Sequence, residues 1–150
     1  MGKTRYLFGS LIILVVSIVS VTAFSQSASN LISYARVTSD NAGVTHFVDE
    51  QLTPTAANEL GALTTPLGTA ESVGYLLLPV GYDQDWHPAP TRQWIFVLAG
   101  TGEIEVQDGE IRTVTAGSII FVEDTTGKGH KTRNVGNETI VIAWVPVGPD

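Results

Sequence analysis

The chain of 150 residues has 43% hydrophobic residues, 15 glycines, 7 prolines, no cysteine and a formal net charge of −7. That length suits one domain around one core, and without cysteine there is no disulfide, thiolate metal site or cysteine nucleophile. Eight Lys and Arg against fifteen Asp and Glu form no basic stripe to neutralise a phosphate backbone, which excludes nucleic acid as a partner.

Lys3 and Arg5 precede "YLFGSLIILVVSIVSVTAF", an uncharged run from Tyr6 to Phe24, and the polar "SQSASN" follows. A basic start, an apolar middle and small residues at the end mark a signal peptide. Val21 and Ala23 in "VTA" suit the −3 and −1 positions of a cleavage site, which makes residues 1–23 the leader. The run is also about long enough to span a bilayer, so an uncleaved membrane anchor is the rival. A buried core helix is disfavoured because the run has no polar face. Both favoured readings export the domain. It is then periplasmic or secreted, or anchored outside the cytosol with membrane contact only through residues 6–24. Residues 24–42 read as a linker.

From there the grammar is that of strands. The candidates are "VTHFVDEQL" from Val44, "VGYLLLPV" from Val73, "QWIFVLA" from Gln93, "GEIEVQ" from Gly102, "EIRTVT" from Glu110, "SIIFV" from Ser118, "HKTRNV" from His130 and "ETIVIAWVPV" from Glu138. Each is short and bounded by turn residues such as "AGTG", "DG", "TTGKG" and "GN". No helical period follows residue 72, which excludes parallel βαβ units. Eight such strands predict an all-β sandwich, barrel or jelly roll over residues 43–147. Thr53 to Ser72 is polar and proline-bearing and reads as a long loop or arm.

Two stretches carry chemistry. In "GYDQDWHPAPTRQWIFVLAG", Gly81, His87, Gln93 and Gly100 fall on the spacing of the first cupin motif, a glycine, a His-x-His, a glutamate and a glycine in order. In "GSIIFVEDTTGKGHKTRN", Gly117, His130 and Asn134 resemble the second motif. The chain therefore resembles the cupin superfamily, in particular its small single-domain members, over about residues 43–147. The resemblance implies a double-stranded β-helix, or jelly-roll, barrel. It implies no single activity, since function lives in sites grafted on the fold.

The departures bear on the site. A full cupin site gives a divalent metal three imidazoles and a carboxylate. Here Ala89 stands for the second histidine and Gln93 for the glutamate, the loop before His130 is two residues longer, and Glu123 stands where a proline is common. The implied metal set is His87, Gln93 and His130, holding manganese, iron, nickel or zinc. Two imidazoles and an amide bring no negative charge to a dication, so affinity is modest unless Asp124 or Glu123 bends in. The metal-free alternative resembles cupin epimerases that work through a histidine oriented by an aspartate. His130 and Asp124 would be that pair, acting as acid and base. Gln93 would then orient a substrate carbonyl or hydroxyl, and His87 would bind ligand. Arg92 is a candidate anion clamp, although its parity opposes Gln93, and a solvated or interface arginine is the plainer reading.

The bland alternatives are specific. His87 alone would merely cap a strand behind Trp86, His46 suits an edge strand, Asp83 and Asp85 suit a solvated turn, and Glu103, Glu105, Asp108 and Glu110 form an acidic hairpin edge. Period-2 alternation puts Ile95 and Val97 on the Gln93 face and Trp94, Phe96 and Leu98 on the other. That second apolar face needs a cover, either the arm, a second subunit or both; dimerisation of cupins through such sheets implies a homodimer. Two function classes follow: an exported enzyme acting in the barrel on a small polar organic substrate, by isomerase, lyase or oxygenase chemistry, or a non-catalytic ligand-binding module of the cell envelope.

Overall fold

The structure, a computed structural model, describes residues 31–57, 59 and 61–148. The expected leader lies outside the described residues. Within them there is no helix; the strands are β1 (Ile32–Ser39), β2 (Thr45–Leu52), β3 (Ala56–Ala57), β4 (Leu63–Thr64), β5 (Gly74–Leu78), β6 (Asp83–His87), β7 (Gln93–Ala99), β8 (Thr101–Glu105), β9 (Ile111–Thr115), β10 (Ile119–Val122), β11 (His130–Asn134) and β12 (Ile140–Pro146). A six-stranded sheet in the order β2-β1-β10-β7-β12-β5 faces a four-stranded sheet in the order β6-β11-β8-β9. The barrel expected from the strand grammar is thus present, and all eight expected strands are found within about two residues of their bounds.

The alternation read for β7 holds. Gln93 and Val97 are buried on the inner face, where Val97 sits opposite Ile142 of β12 in a core with Val37, Ile120, Val122 and Ile140. The outer face has its own cluster, Trp94, Phe121 and Val147, with Leu67 packed against it. The Trp94 indole N–H donates to the Leu67 carbonyl at 3.1 Å, so the arm does cover part of this face. Among its described residues it forms the small β3-β4 ribbon and a single antiparallel bridge from Ala70 to Val147. Tyr75, Leu77 and Leu98 stay exposed.

Two stretches differ from expectation. The linker read at 24–42 contains β1, which pairs parallel with β10 through Ala35–Ile120 and Val37–Val122 and antiparallel with β2. Its inward residues are only Ala35 and Val37, while Tyr34 and Arg36 look outward, so its apolar rhythm is faint. The stretch with Asp83 and Asp85, expected as a solvated turn, is β6. Its pairing with β11 shifts between His130 and Thr132, because His130 faces His87 whereas Thr132 faces Gln84. One β11 residue, Lys131, therefore opposes two β6 residues, Asp85 and Trp86, which defines a β-bulge.

Candidate functional site

The bulge creates the site. Tyr82 and Gln84 line the interior cavity on even positions, and after the extra residue His87 lines it on an odd one. Ala89, two further on, is buried in the same core. His87 and His130 are direct cross-strand partners, and their ring centres lie 4.5 Å apart at an interplanar angle of 55°. The His87 Nδ1 is 2.8 Å from the carbonyl oxygen of Asp85, a bulge residue. A carbonyl only accepts, so Nδ1 carries the proton and a neutral ring keeps its lone pair on Nε2. Burial holds the His87 ring below its ordinary value of 6.5, and the neighbouring His130 acts the same way, against the opposing pull of the Asp85 carbonyl and the Asp124 carboxylate. Neutral His87 is the form that results near pH 7.

His130 is oriented from behind. Its Nδ1 lies 2.7 Å from Asp124 Oδ2, with Asp124 fully buried and the imidazole nearly so. Asp124 Oδ1 is buried without a hydrogen-bond partner among the described residues, so the carboxylate is tied to the protein side chains through the imidazole. The loop carrying Asp124 is anchored twice, by Ala89 N–H donating to the Asp124 carbonyl at 3.1 Å and by buried Thr45, whose hydroxyl donates to the Gly129 carbonyl at 2.8 Å. Gly129 itself, at φ +81, lies so close to the His87 backbone that an added Cβ would stand 1.9 Å from the His87 carbonyl oxygen. The two imidazoles approach because residue 129 has no side chain.

The other candidates divide by face. Gln93 lines the cavity, and its Oε1 accepts from the indole N–H of Trp144 on β12. Arg92 takes the opposite parity and lies outside the cavity, its Nε 3.6 Å from Glu123 and its guanidinium 5.4 Å from the centre of the Phe121 ring. Glu123, one of the two carboxylates expected to bend in, faces outward to Arg92 and Arg36. Arg92 thus lies on the outer face, where the plainer reading of its parity put it, and not in the cavity as an anion clamp. His46 lies on edge strand β2, as expected. Trp144, Thr45, Tyr82, Gln84 and Thr132 were not singled out in the sequence. Trp144 alone left a signal, since it shares the parity of Ile140 and Ile142.

These donors do not fit a resident divalent metal. Among the described residues no three His, Asp or Glu side chains gather into a metal-holding group. The amide oxygen expected as a ligand is already occupied by Trp144, and Asp124 is engaged behind His130. What remains is two imidazoles and no carboxylate for a dication.

The cavity measures about 100 Å³, below the roughly 300–1,000 Å³ of sites for drug-sized ligands. Its walls are mainly apolar, including Leu78, Ile104 and Ile140, with His87, His130, Gln93, Thr132, Tyr82 and Gln84 as the polar lining.

This arrangement of two facing sheets around a histidine-bearing cavity agrees with the family comparison, in which residues 74–146 match the cupin domain family Cupin_2. The chain thus carries a cupin domain over that stretch. Among solved structures it is similar to a predicted oxalate decarboxylase from Thermotoga maritima, at 24% identity over 52% of this chain and 66% of that one, with a TM-score of 0.42. It is also similar to the polyketide cyclase RemF from Streptomyces resistomycificus, at 18% identity over 51% of this chain and 54% of that one, with a TM-score of 0.42. The Cnp3 cupin domain of Schizosaccharomyces pombe matches at 11% identity over 81% of this chain and 89% of that one, with a TM-score of 0.44. The chain thus spans just under two thirds of the Thermotoga protein and about half of RemF. No curated protein matches it.

Proposed function

We propose that the barrel binds a small organic molecule and that His130, held by Asp124, moves a proton on it without a metal. The observation that carries this reading is the buried 2.7 Å pair of Asp124 Oδ2 and His130 Nδ1. An acceptor fixed on one ring nitrogen leaves the other as the proton-transferring atom. Neutral His87 beside it offers a lone pair on Nε2, and the apolar walls limit water. The corresponding reaction takes a proton from a carbon next to a carbonyl and returns one to the resulting enolate, an isomerase- or lyase-type exchange.

Proton exchange at such carbons in a panel of small oxo- and hydroxy-compounds, followed by NMR in D2O, tests it. We expect wild type to exchange at least one compound and His130→Gln to be slower by roughly 10²–10⁴-fold, the usual worth of a positioned acid or base. Binding without exchange in wild type would instead support a non-catalytic ligand-binding module.

The uncharged run from Tyr6 to Phe24 supports a place of work outside the cytosol. N-terminal sequencing of exported protein is expected to begin at or near Phe24. Recovery of Met1 or Gly2 would favour the anchored form.

A further inference from the structure

Gln93 and Trp144 are 51 residues apart in sequence and joined by a hydrogen bond inside the barrel. An indole N–H can only donate, so the amide must turn its oxygen to Trp144. The NH2 group is then the part of Gln93 left for the cavity it lines. That makes this pole of the cavity a hydrogen-bond donor, the reverse of what an amide oxygen directed at a cation would give.

The charges in the cavity point the same way. Among the described residues that line it there is no Lys or Arg. Behind the His130 ring lies the Asp124 carboxyl group, fully buried against it. An anionic ligand would lose its hydration with no Lys or Arg in the described lining to replace it and with a buried carboxyl group behind His130. His87, with its proton on Nδ1, presents an acceptor to a ligand hydroxyl.

Resting on the reading above, we propose that the cavity takes a small uncharged carbonyl compound, best an α-hydroxy one, whose carbonyl oxygen is received by the Gln93 NH2. Trp144 is the positioning residue that fixes the amide and so makes the site prefer a carbonyl over an alcohol.

Three-carbon probes separate these features: hydroxyacetone has a carbonyl and a hydroxyl, 1,2-propanediol lacks the carbonyl, and lactate adds a charge. Each is titrated into the full-length chain while the side-chain amide signals of Gln93 and the imidazole signals of His87 and His130 are followed by NMR. Hydroxyacetone is expected to shift all three residues and to bind several-fold more tightly than the diol or lactate, the worth of one hydrogen bond. Trp144→Phe keeps a ring but frees the amide, and it should erase the preference for hydroxyacetone over the diol, a ratio that mere loosening of the fold would not invert. Gln93→Glu keeps the oxygen for Trp144 but has no NH2, and it should lose hydroxyacetone while still taking the diol. This second variant decides the matter if Trp144→Phe does not fold. Lactate binding as tightly as hydroxyacetone would overturn the uncharged class, and equal binding of the diol would overturn the donor role of Gln93. An unchanged preference in the variants would overturn the role of Trp144. If no probe moves any of the three residues, the ligand-binding reading itself fails.

Discussion

Gly129→Ala is expected to lower the melting temperature by roughly 10–20 °C, as follows from a loss on the order of 4 kcal/mol in a domain of this size. The new Cβ would meet the His87 carbonyl oxygen at 1.9 Å, the His87 carbonyl carbon at 2.1 Å and Pro88 N at 2.4 Å. All three are backbone atoms, so no side chain can swing aside. The strain of a left-handed alanine adds about 1–2 kcal/mol. Gly109→Ala is the internal control, since Gly109 has φ +94 and nothing within 4 Å of an added Cβ; it should show the strain alone. Surviving Gly129→Ala protein should have His87 and His130 pushed apart, with the contact between their rings lost in NMR. Melting temperatures for the two variants within about 3 °C of each other would mean that the loop is free to move away from β6.

Val97→Asp is expected to abolish folding. Val97 is 2% exposed and packs among Ile120, Ile140 and Ile142, on a cavity wall that offers no cationic side chain among the described residues. Burying a carboxylate there costs several kcal/mol, against a total stability of about 5–15 kcal/mol for a typical domain. Leu98→Asp, one residue on, puts the same charge on the half-exposed outer face and should leave cooperative unfolding in place. An unchanged unfolding midpoint in Val97→Asp would show that the inner and outer faces of β7 have been exchanged.

What the sequence disclosed depends on which signals are local. In β7, the strict alternation of Gln93, Ile95 and Val97 against Trp94, Phe96 and Leu98 marks both faces, so its phase could be read directly. His87 and His130 were legible as a pair through the resemblance to the two cupin motifs, and the resemblance to metal-free cupin epimerases pointed to Asp124 as the partner of His130. Other features were hidden because they depend on partners far along the chain. The inward residues of β1 are small, and its place is set by a parallel pairing with β10. Glu123 and Asp124 are neighbours with equal claims in sequence. Only Arg36 and Arg92 on the outer face draw Glu123 away, leaving Asp124 inside. The orientation of the Gln93 amide depends on an indole on another strand.

In β6 the missing signal was the rhythm itself. The bulge opposite Lys131 divides the strand into two halves of different phase, much as an inserted letter shifts a reading frame. Upstream, Tyr82 and Gln84 are read into the cavity; downstream, His87 is, and Ala89 joins the same inner core. The bulge residues have outward duties, with Asp85 3.3 Å from the Lys131 ammonium and Trp86 under the ammonium groups of Lys128 and Lys131. Such surface contacts tolerate exchange of one residue type for another. Loss of a single residue between Gln84 and His87 would restore unbroken alternation with the imidazole still on the cavity side, but it would remove the bulge and with it the backbone carbonyl that holds the proton on His87 Nδ1. In this segment the count of residues is therefore under tighter constraint than their identity.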